Sequence, residues 1–242
     1  MNPASLPPID PCDVLAIGPH PDDVEIGCGG TLLLLAAAKH TTSIVDLTRG
    51  EMGSRGTADE RRAEADAAAK ALGLQQRVNL GIPDTQVSAN AAPTDLLVAV
   101  LRRARPRLLF APLERDLHPD HTAAAQLVSR AFFLAGLKNH EPHLGAPHRP
   151  RLVLRFPGNV PVEPSVCVDI SAVFEQKANV VRCYRSQLAP PDRSHLLQGI
   201  DVLERAQVRD RFFGTRIGVA AAEPFWHDGP LPLRDIGSLL PR

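Results

Sequence analysis

The chain has 242 residues, 44% of them apolar, and its 27 basic side chains are balanced by 27 acidic ones. That length suits one large domain or two small ones. The zero net charge and only ten aromatic residues argue against a binder of phosphate backbones or of stacked bases. The longest uncharged stretch, Ile26 to Ala38, is shorter than the roughly 20 residues of a membrane span. The N-terminus carries prolines rather than a basic segment, so no secretory signal is read. Four cysteines without a Cys-x-x-Cys pair are expected to be reduced and mostly buried. The expectation is a soluble cytoplasmic protein with no nucleic-acid or membrane partner.

Val14 to Gly18 is a nearly continuous apolar run ending in turn residues, the pattern of a strand buried on both faces. Gly29 to Lys39 reads as a buried helix and Ser43–Leu47 as a second strand. Thr57-Ala58-Asp59-Glu60 is a capping box, and the alanine-rich helix that follows stops at Gly73. A weaker strand at Arg77–Leu80, a helix at Thr94–Ala104 and a strand at Arg107–Ala111 continue the alternation. A helix opens at Pro119 and runs to about Leu137. Strands are expected at Leu152–Phe156 and Val166–Ile170, and helices near Val173–Arg185 and Ser194–Phe213. The rhythm predicts an α/β fold with a Rossmann-like, mostly parallel sheet and helices on both faces. One domain over residues 1–242 is expected, with the core at about 13–140 and a C-terminal elaboration at about 141–242.

Two loops carry the chemistry. Pro19-His20-Pro21-Asp22-Asp23 follows the first strand, at the carboxyl end where open α/β sheets bind ligands. His20 and Asp23 can face one metal, and a cation relieves the repulsion between Asp22 and Asp23. The alternative is a polar turn that only caps the next helix. The second loop is Asp116-Leu117-His118-Pro119-Asp120-His121. Pro119 suits the first helical position, making His118 the cap and turning His121 inward with Ala124, Ala125 and Val128. One inward histidine is commonly a satisfied core residue; two of them beside two aspartates are harder to dismiss.

Together the loops offer His20, Asp23 and His121 as three ligands, which leaves a zinc ion an open position for catalysis. Two histidines and a carboxylate also describe an Fe(II) site, so iron or another divalent ion is a second possibility. Asp22 remains to take a proton from water, and His118 to stabilise an oxyanion or protonate a leaving amine. That inventory fits amide hydrolysis. A dinucleotide site is disfavoured because the first turn lacks G-x-G-x-x-G, and no G-x-S-x-G elbow is present. Arg61 lies on the small inward face of its helix with Ala65, Ala68 and Leu72, and from the residues alone a salt bridge is its expected role. The glycine-rich loop before it, Arg49 to Gly56, is expected to form a mobile rim, with Met52 and Ser54 as candidate substrate contacts.

His20-Pro21-Asp22-Asp23 and His118-Pro119-Asp120-His121 resemble the signatures of the PIG-L/LmbE family of metal-dependent N-acetylglucosamine deacetylases. The resemblance runs from about Val14 to Trp226. Leu47-Thr48-Arg49-Gly50-Glu51, Leu80-Gly81-Ile82-Pro83-Asp84 and Tyr184-Arg185-Ser186-Gln187 are similar to the branch acting on N-acetylglucosaminyl-malate in bacillithiol biosynthesis. The resemblance implies zinc on His20, Asp23 and His121, Asp22 as general base, His118 as oxyanion stabiliser and proton donor, and Asp120 orienting His118. It also implies that Arg61 binds substrate, and that the protein is a trimer or hexamer. Relatives carry a tyrosine where this chain has Ala221, so a slower reaction or a shifted substrate is expected. The alternatives are another small N-acyl glycoside, such as a chitooligosaccharide or thiol conjugate, or a non-catalytic metal-holding sugar-binding protein.

Overall fold

The structure, a computed structural model, describes residues 3, 6–160, 162–188 and 201–232. Five parallel strands form the central sheet in the order β3-β2-β1-β4-β5: β1 (Val14–Gly18), β2 (Thr42–Asp46), β3 (Gln76–Asn79), β4 (Leu108–Pro112) and β5 (Leu152–Phe156). The helices between them are α1 (Asp23–Ala37), α2 (Ala58–Leu72), α3 (Ala91–Ala104) and α4 (Pro119–Ala135). Alternate residues of the inner strands serve opposite faces. Leu15, Ile17 and Val45 pack with buried residues of α3 and α4, whereas Val14, Ala16 and Ile44 pack with those of α1 and α2. An apolar run buried on both sides is what a central parallel strand requires.

The order turns at β1: the chain adds β2 and β3 on one side, then β4 and β5 on the other. A crevice therefore opens between the carboxyl ends of β1 and β4, the topological switch point of the sheet. Both histidine loops leave the sheet there.

Most predicted elements appear within a few residues of their expected bounds; four differ in ways that matter. The helix expected from Gly29 starts six residues earlier, at Asp23, and its geometry breaks at Cys28 (φ −146°, ψ 19°). The break frees the amides of Gly30 and Thr31, which donate to the Glu223 carboxylate at 2.8 and 2.7 Å. The parallel sheet also extends beyond residue 140, because β5 pairs with β4 along its whole length. The span expected as one helix at Val173–Arg185 divides into α5 (Phe174–Val181) and α6 (Arg185–Leu188). Residues 194–200 of the last expected helix lie outside the described residues, and α7 runs from Val202 to Ile217.

A second sheet was not anticipated. β6 (Val166–Asp169) pairs antiparallel with β7 (Ala222–Phe225), and an Arg155–Trp226 bridge ties this ribbon to β5. Cys12 and Cys28 are buried and Cys167 and Cys183 half-buried, all as free thiols. Among the described residues no helix is long and apolar enough to cross a membrane.

Candidate metal centre

Strand β1 ends at Gly18, where a Cβ would come within 2.9 Å of the Val24 side chain, so the turn closes tightly over α1. Asp22 caps that helix with φ 114°, a left-handed conformation that costs a non-glycine residue on the order of 1–3 kcal/mol. The strained turn sets His20 and Asp23 side by side. The His20 amide donates to Asp23 Oδ2 at 2.9 Å, and His20 Nδ1 lies 3.2 Å from the same oxygen. From the second loop, Pro119 opens α4 and His118 caps it, accepting from the Asp120 amide at its Nδ1 (3.2 Å). One helical turn places His121 Nε2 3.3 Å from Asp23 Oδ1. One ligand atom each from His20, Asp23 and His121 lie within 4.8 Å of one another.

The outer nitrogens of both histidines face carboxylates. His20 Nε2 is 3.0 Å from Asp84 Oδ1 and 3.4 Å from Asp120 Oδ2, and His121 Nδ1 is 3.2 Å from Asp116 Oδ2. Such partners fix the tautomer and turn the remaining lone pair inward, here from both rings towards Asp23. Burial would lower both imidazoles, but the carboxylates override it: Asp23 and Asp116 lift His121 to about 10, and Asp120, Asp23 and Asp84 hold His20 well above its usual value. Burial likewise opposes ionisation of Asp23, yet His121 and His20 bring it well below the carboxylate range. The protons that these two imidazoles hold against a shared carboxylate are what a divalent cation would replace. The donor set fits zinc or Fe(II). His20, His118 and Asp120 also converge. In that set the Asp120 oxygen already accepts from the Thr85 amide (2.8 Å), and His118 Nδ1 from Asp120.

Asp22 borders the same centre without joining it. Burial pushes its carboxyl up to about 7, with the Arg61 guanidinium, 3.5 Å away, pulling the other way. Arg61 is anchored on the Gly50 and Pro21 carbonyls at 3.1 and 2.6 Å, so the residue expected to hold substrate is engaged by protein. It still lines the cleft. Burial and the neighbouring His20 and His121 hold the His118 imidazole low, hence neutral. With Nδ1 accepting, its proton sits on Nε2.

One expectation is corrected. The Asp120 carboxylate is turned to Thr85 and His20 instead of orienting His118, which is held by the Asp120 backbone. Ala221 is packed against Ile170 and Val173 in a satellite core and is not part of the cleft wall. Met52 and Ser54 do line the cleft, and the Met52 amide donates to Asp84 Oδ2 at 2.9 Å while its side chain is 67% exposed. Asp84 and Asp116 were given no role by the sequence, although both stand in loops at the carboxyl end of the sheet. Asp116 also accepts from the His118 and Asn159 amides, each at 2.8 Å. Gly158 beside it has no room for a Cβ, which would collide with Asp116 and reach 2.8 Å from His121 Nδ1. The centre opens into a cleft of about 680 Å³ whose far wall is α7.

Residues 15–132, which contain both loops, match the PIG-L family, GlcNAc-PI de-N-acetylase. The diacetylchitobiose deacetylase of Thermococcus kodakarensis is 33% identical over 185 residues, covering 72% of this chain and 69% of the relative. The chain belongs to the PIG-L family. A probable N-acetyl-alpha-D-glucosaminyl L-malate deacetylase 2 of Bacillus cereus is 28% identical over 199 residues, covering 72% of this chain and 83% of that protein. The crystal structure of the conserved protein TT1542 from Thermus thermophilus superposes with a TM-score of 0.84 at 44% identity, covering 92% of this chain and 97% of that one. The PIG-L match ends before β5 and α7. The cleft therefore has a wall shared with the PIG-L core and a wall built by the C-terminal third.

Proposed function

We propose that the protein is a metal-dependent hydrolase that removes the acetyl group from the 2-acetamido substituent of an N-acetylglucosaminide. The observation that carries this reading is the convergence of His20, Asp23 and His121 beside an Asp22 carboxyl pushed up to about 7. When bound, the cation supplies Lewis acidity, polarising a water molecule and the amide carbonyl. Asp22 takes a proton from that water as its oxygen adds to the carbonyl carbon, a general base poised near neutrality. The neutral Nε2–H of His118 donates to the developing oxyanion. The carbon–nitrogen bond then breaks, the proton held by Asp22 passes to the departing nitrogen, and acetate and a free amine result. Arg61 keeps Asp22 facing the centre through its contacts with Pro21 and Gly50.

Zinc is the ion we assign, with Fe(II) as the other candidate the donors allow. For the glycoside we propose N-acetylglucosaminyl-malate, supported by the similarity to the Bacillus cereus protein. A chitooligosaccharide is the second reading, favoured by the higher identity to the Thermococcus deacetylase. Free-amine release by the zinc-loaded chain from a panel of N-acetyl glycosides tests both. Faster release from diacetylchitobiose than from the malyl glycoside rejects the malyl assignment alone. No release from any member, with one metal bound per chain, rejects deacetylation.

A further inference from the structure

The cleft carries three arginines, and they are not equally occupied. Arg61 is held by two carbonyls and faces Asp22. Arg209 is paired with Asp210 at 3.0 Å and bonded to the Ile26 carbonyl. Among the described residues Arg205 hydrogen-bonds only the Asn159 side-chain oxygen, at 3.5 Å from each terminal nitrogen, and forms no ion pair. Its neighbour Glu204 is exposed and does not neutralise it. Arg205 also stands in the first turns of α7, whose cap Asp201 accepts from the Leu203 amide, so its charge opposes the helix dipole. Half-burial and the proximity of Arg209 oppose that charge too, and among the described residues the only protein charge that favours it is the Asp116 carboxylate, which already accepts from His118 and Asn159. A cation kept where its own helix and neighbour disfavour it is understood once a ligand supplies the counter-charge.

We propose that Arg205 is a specificity-determining residue that binds an anionic group, carboxylate or phosphate, on the aglycone of the substrate. The guanidinium fork suits both by paired hydrogen bonds. Its place beside Asn159, whose amides go to Asp116 and thence to His121, sets this anion subsite at the edge of the reacting centre. The inference rests on the N-acetylglucosaminide reading above and narrows it to charged glycosides.

Calorimetric titration of the zinc-loaded Asp22→Asn chain separates the two ideas, because binding is read without turnover. The probes are N-acetylglucosaminyl-malate, N-acetylglucosamine 1-phosphate and the uncharged methyl glycoside. At least one anionic glycoside should bind ten-fold or more tighter than the methyl glycoside, and which one does so tells carboxylate from phosphate. That advantage should vanish when Arg205→Gln is added and survive in part with Arg205→Lys, which confirms that the fold is intact. An advantage untouched by Arg205→Gln, an equal loss for charged and uncharged glycosides, or no advantage in the starting chain overturns the anion subsite. Amine release by the unsubstituted chain, measured separately, decides deacetylation.

Discussion

Two of the clusters of buried charge among the described residues are built on opposite rules. Around the kink of α1, Lys177, Asp210 and Glu223 are at most 2% exposed, and every charge there has a partner of its own. Lys177 bridges Asp210 and Glu223, Arg209 joins Asp210, and Glu223 accepts from Gly30, Thr31 and the Thr31 hydroxyl. Cations and carboxylates match two to two. At the switch point of the sheet the match fails: Asp22, Asp23, Asp84, Asp116 and Asp120 face three histidines and a single guanidinium, that of Arg61. The first cluster is sealed and complete. The second is open to a cleft, and its carboxylates are balanced in part by protons on His20 and His121, the place a divalent cation would take. The difference teaches where chemistry is to be sought: a sealed, paired network holds a fold, whereas perturbed carboxylates and imidazoles that open into a cleft mark a candidate functional site.

The sharpest break between the clusters should come from Asp22→Asn. Asparagine tolerates the left-handed backbone at this position, so the turn is preserved. Turnover should fall by about 10²–10⁴-fold, the usual worth of a general base, while metal analysis still finds one ion per chain. Unchanged turnover would remove Asp22 from the reaction. In the sealed cluster, Lys177→Met leaves two buried carboxylates short of a cation. Chemical denaturation should show a loss of about 3–5 kcal/mol, with metal content per folded chain unaltered. A loss below about 1 kcal/mol would mean that the network is not the closed device its geometry describes.

How far the sequence discloses the two clusters differs in the same way. The open one was largely legible, because His20 and Asp23 lie three residues apart in one loop and His118 and His121 three apart in another, both after apolar strands, and their residue types name the chemistry. Asp84 and Asp116 were not legible. Their role depends on which imidazole nitrogen they face, and Asp84 lies 64 positions from His20. The sealed cluster was hidden altogether. Ala222-Glu223-Pro224-Phe225 has neither the alternation nor the β-branched residues of a strand, and Glu223 is turned inward to Lys177, the Gly30 and Thr31 amides and the Thr31 hydroxyl. The same separation explains the misplaced start of α1: the glycines at 27, 29 and 30 obscure the turns before Gly29, where the helix kinks at Cys28 and a carboxylate 193 positions beyond Gly30 accepts the freed amides. Strands β1 and β4 needed no such help, since a continuous apolar run states its own burial.

Asp116 tests whether the open cluster is tuned from outside its ligands. Asp116→Ala frees the outer nitrogen of His121 and should weaken zinc binding by about 10–100-fold in a chelator competition, as for other carboxylate–histidine pairs. Zinc affinity equal to that of the unsubstituted chain would show that His121 is oriented by packing alone. Asp84→Ala is the control for His20, with part of the loss absorbed by Asp120, which faces the same nitrogen.

The smallest effect should come from the exposed start of α2, the helix that carries Arg61 into the open cluster. Thr57 accepts from the Glu60 amide at 3.2 Å while the Glu60 carboxylate accepts from the Thr57 amide at 2.7 Å. Thr57→Ala should cost about 1 kcal/mol at neutral pH, with zinc content and turnover intact. The Thr57 amide and hydroxyl depress the Glu60 carboxyl. Its contribution is therefore fully present above its unfolded value and is lost as pH falls through the lower folded one. The gap between the two proteins should then narrow below about pH 4, in urea titrations at a series of pH values. A gap that persists unchanged in acid would assign the stabilisation to the threonine hydroxyl alone. A simultaneous loss of zinc would show that the anchor of Arg61, rather than the charge balance around Asp23, is what holds the open cluster in place.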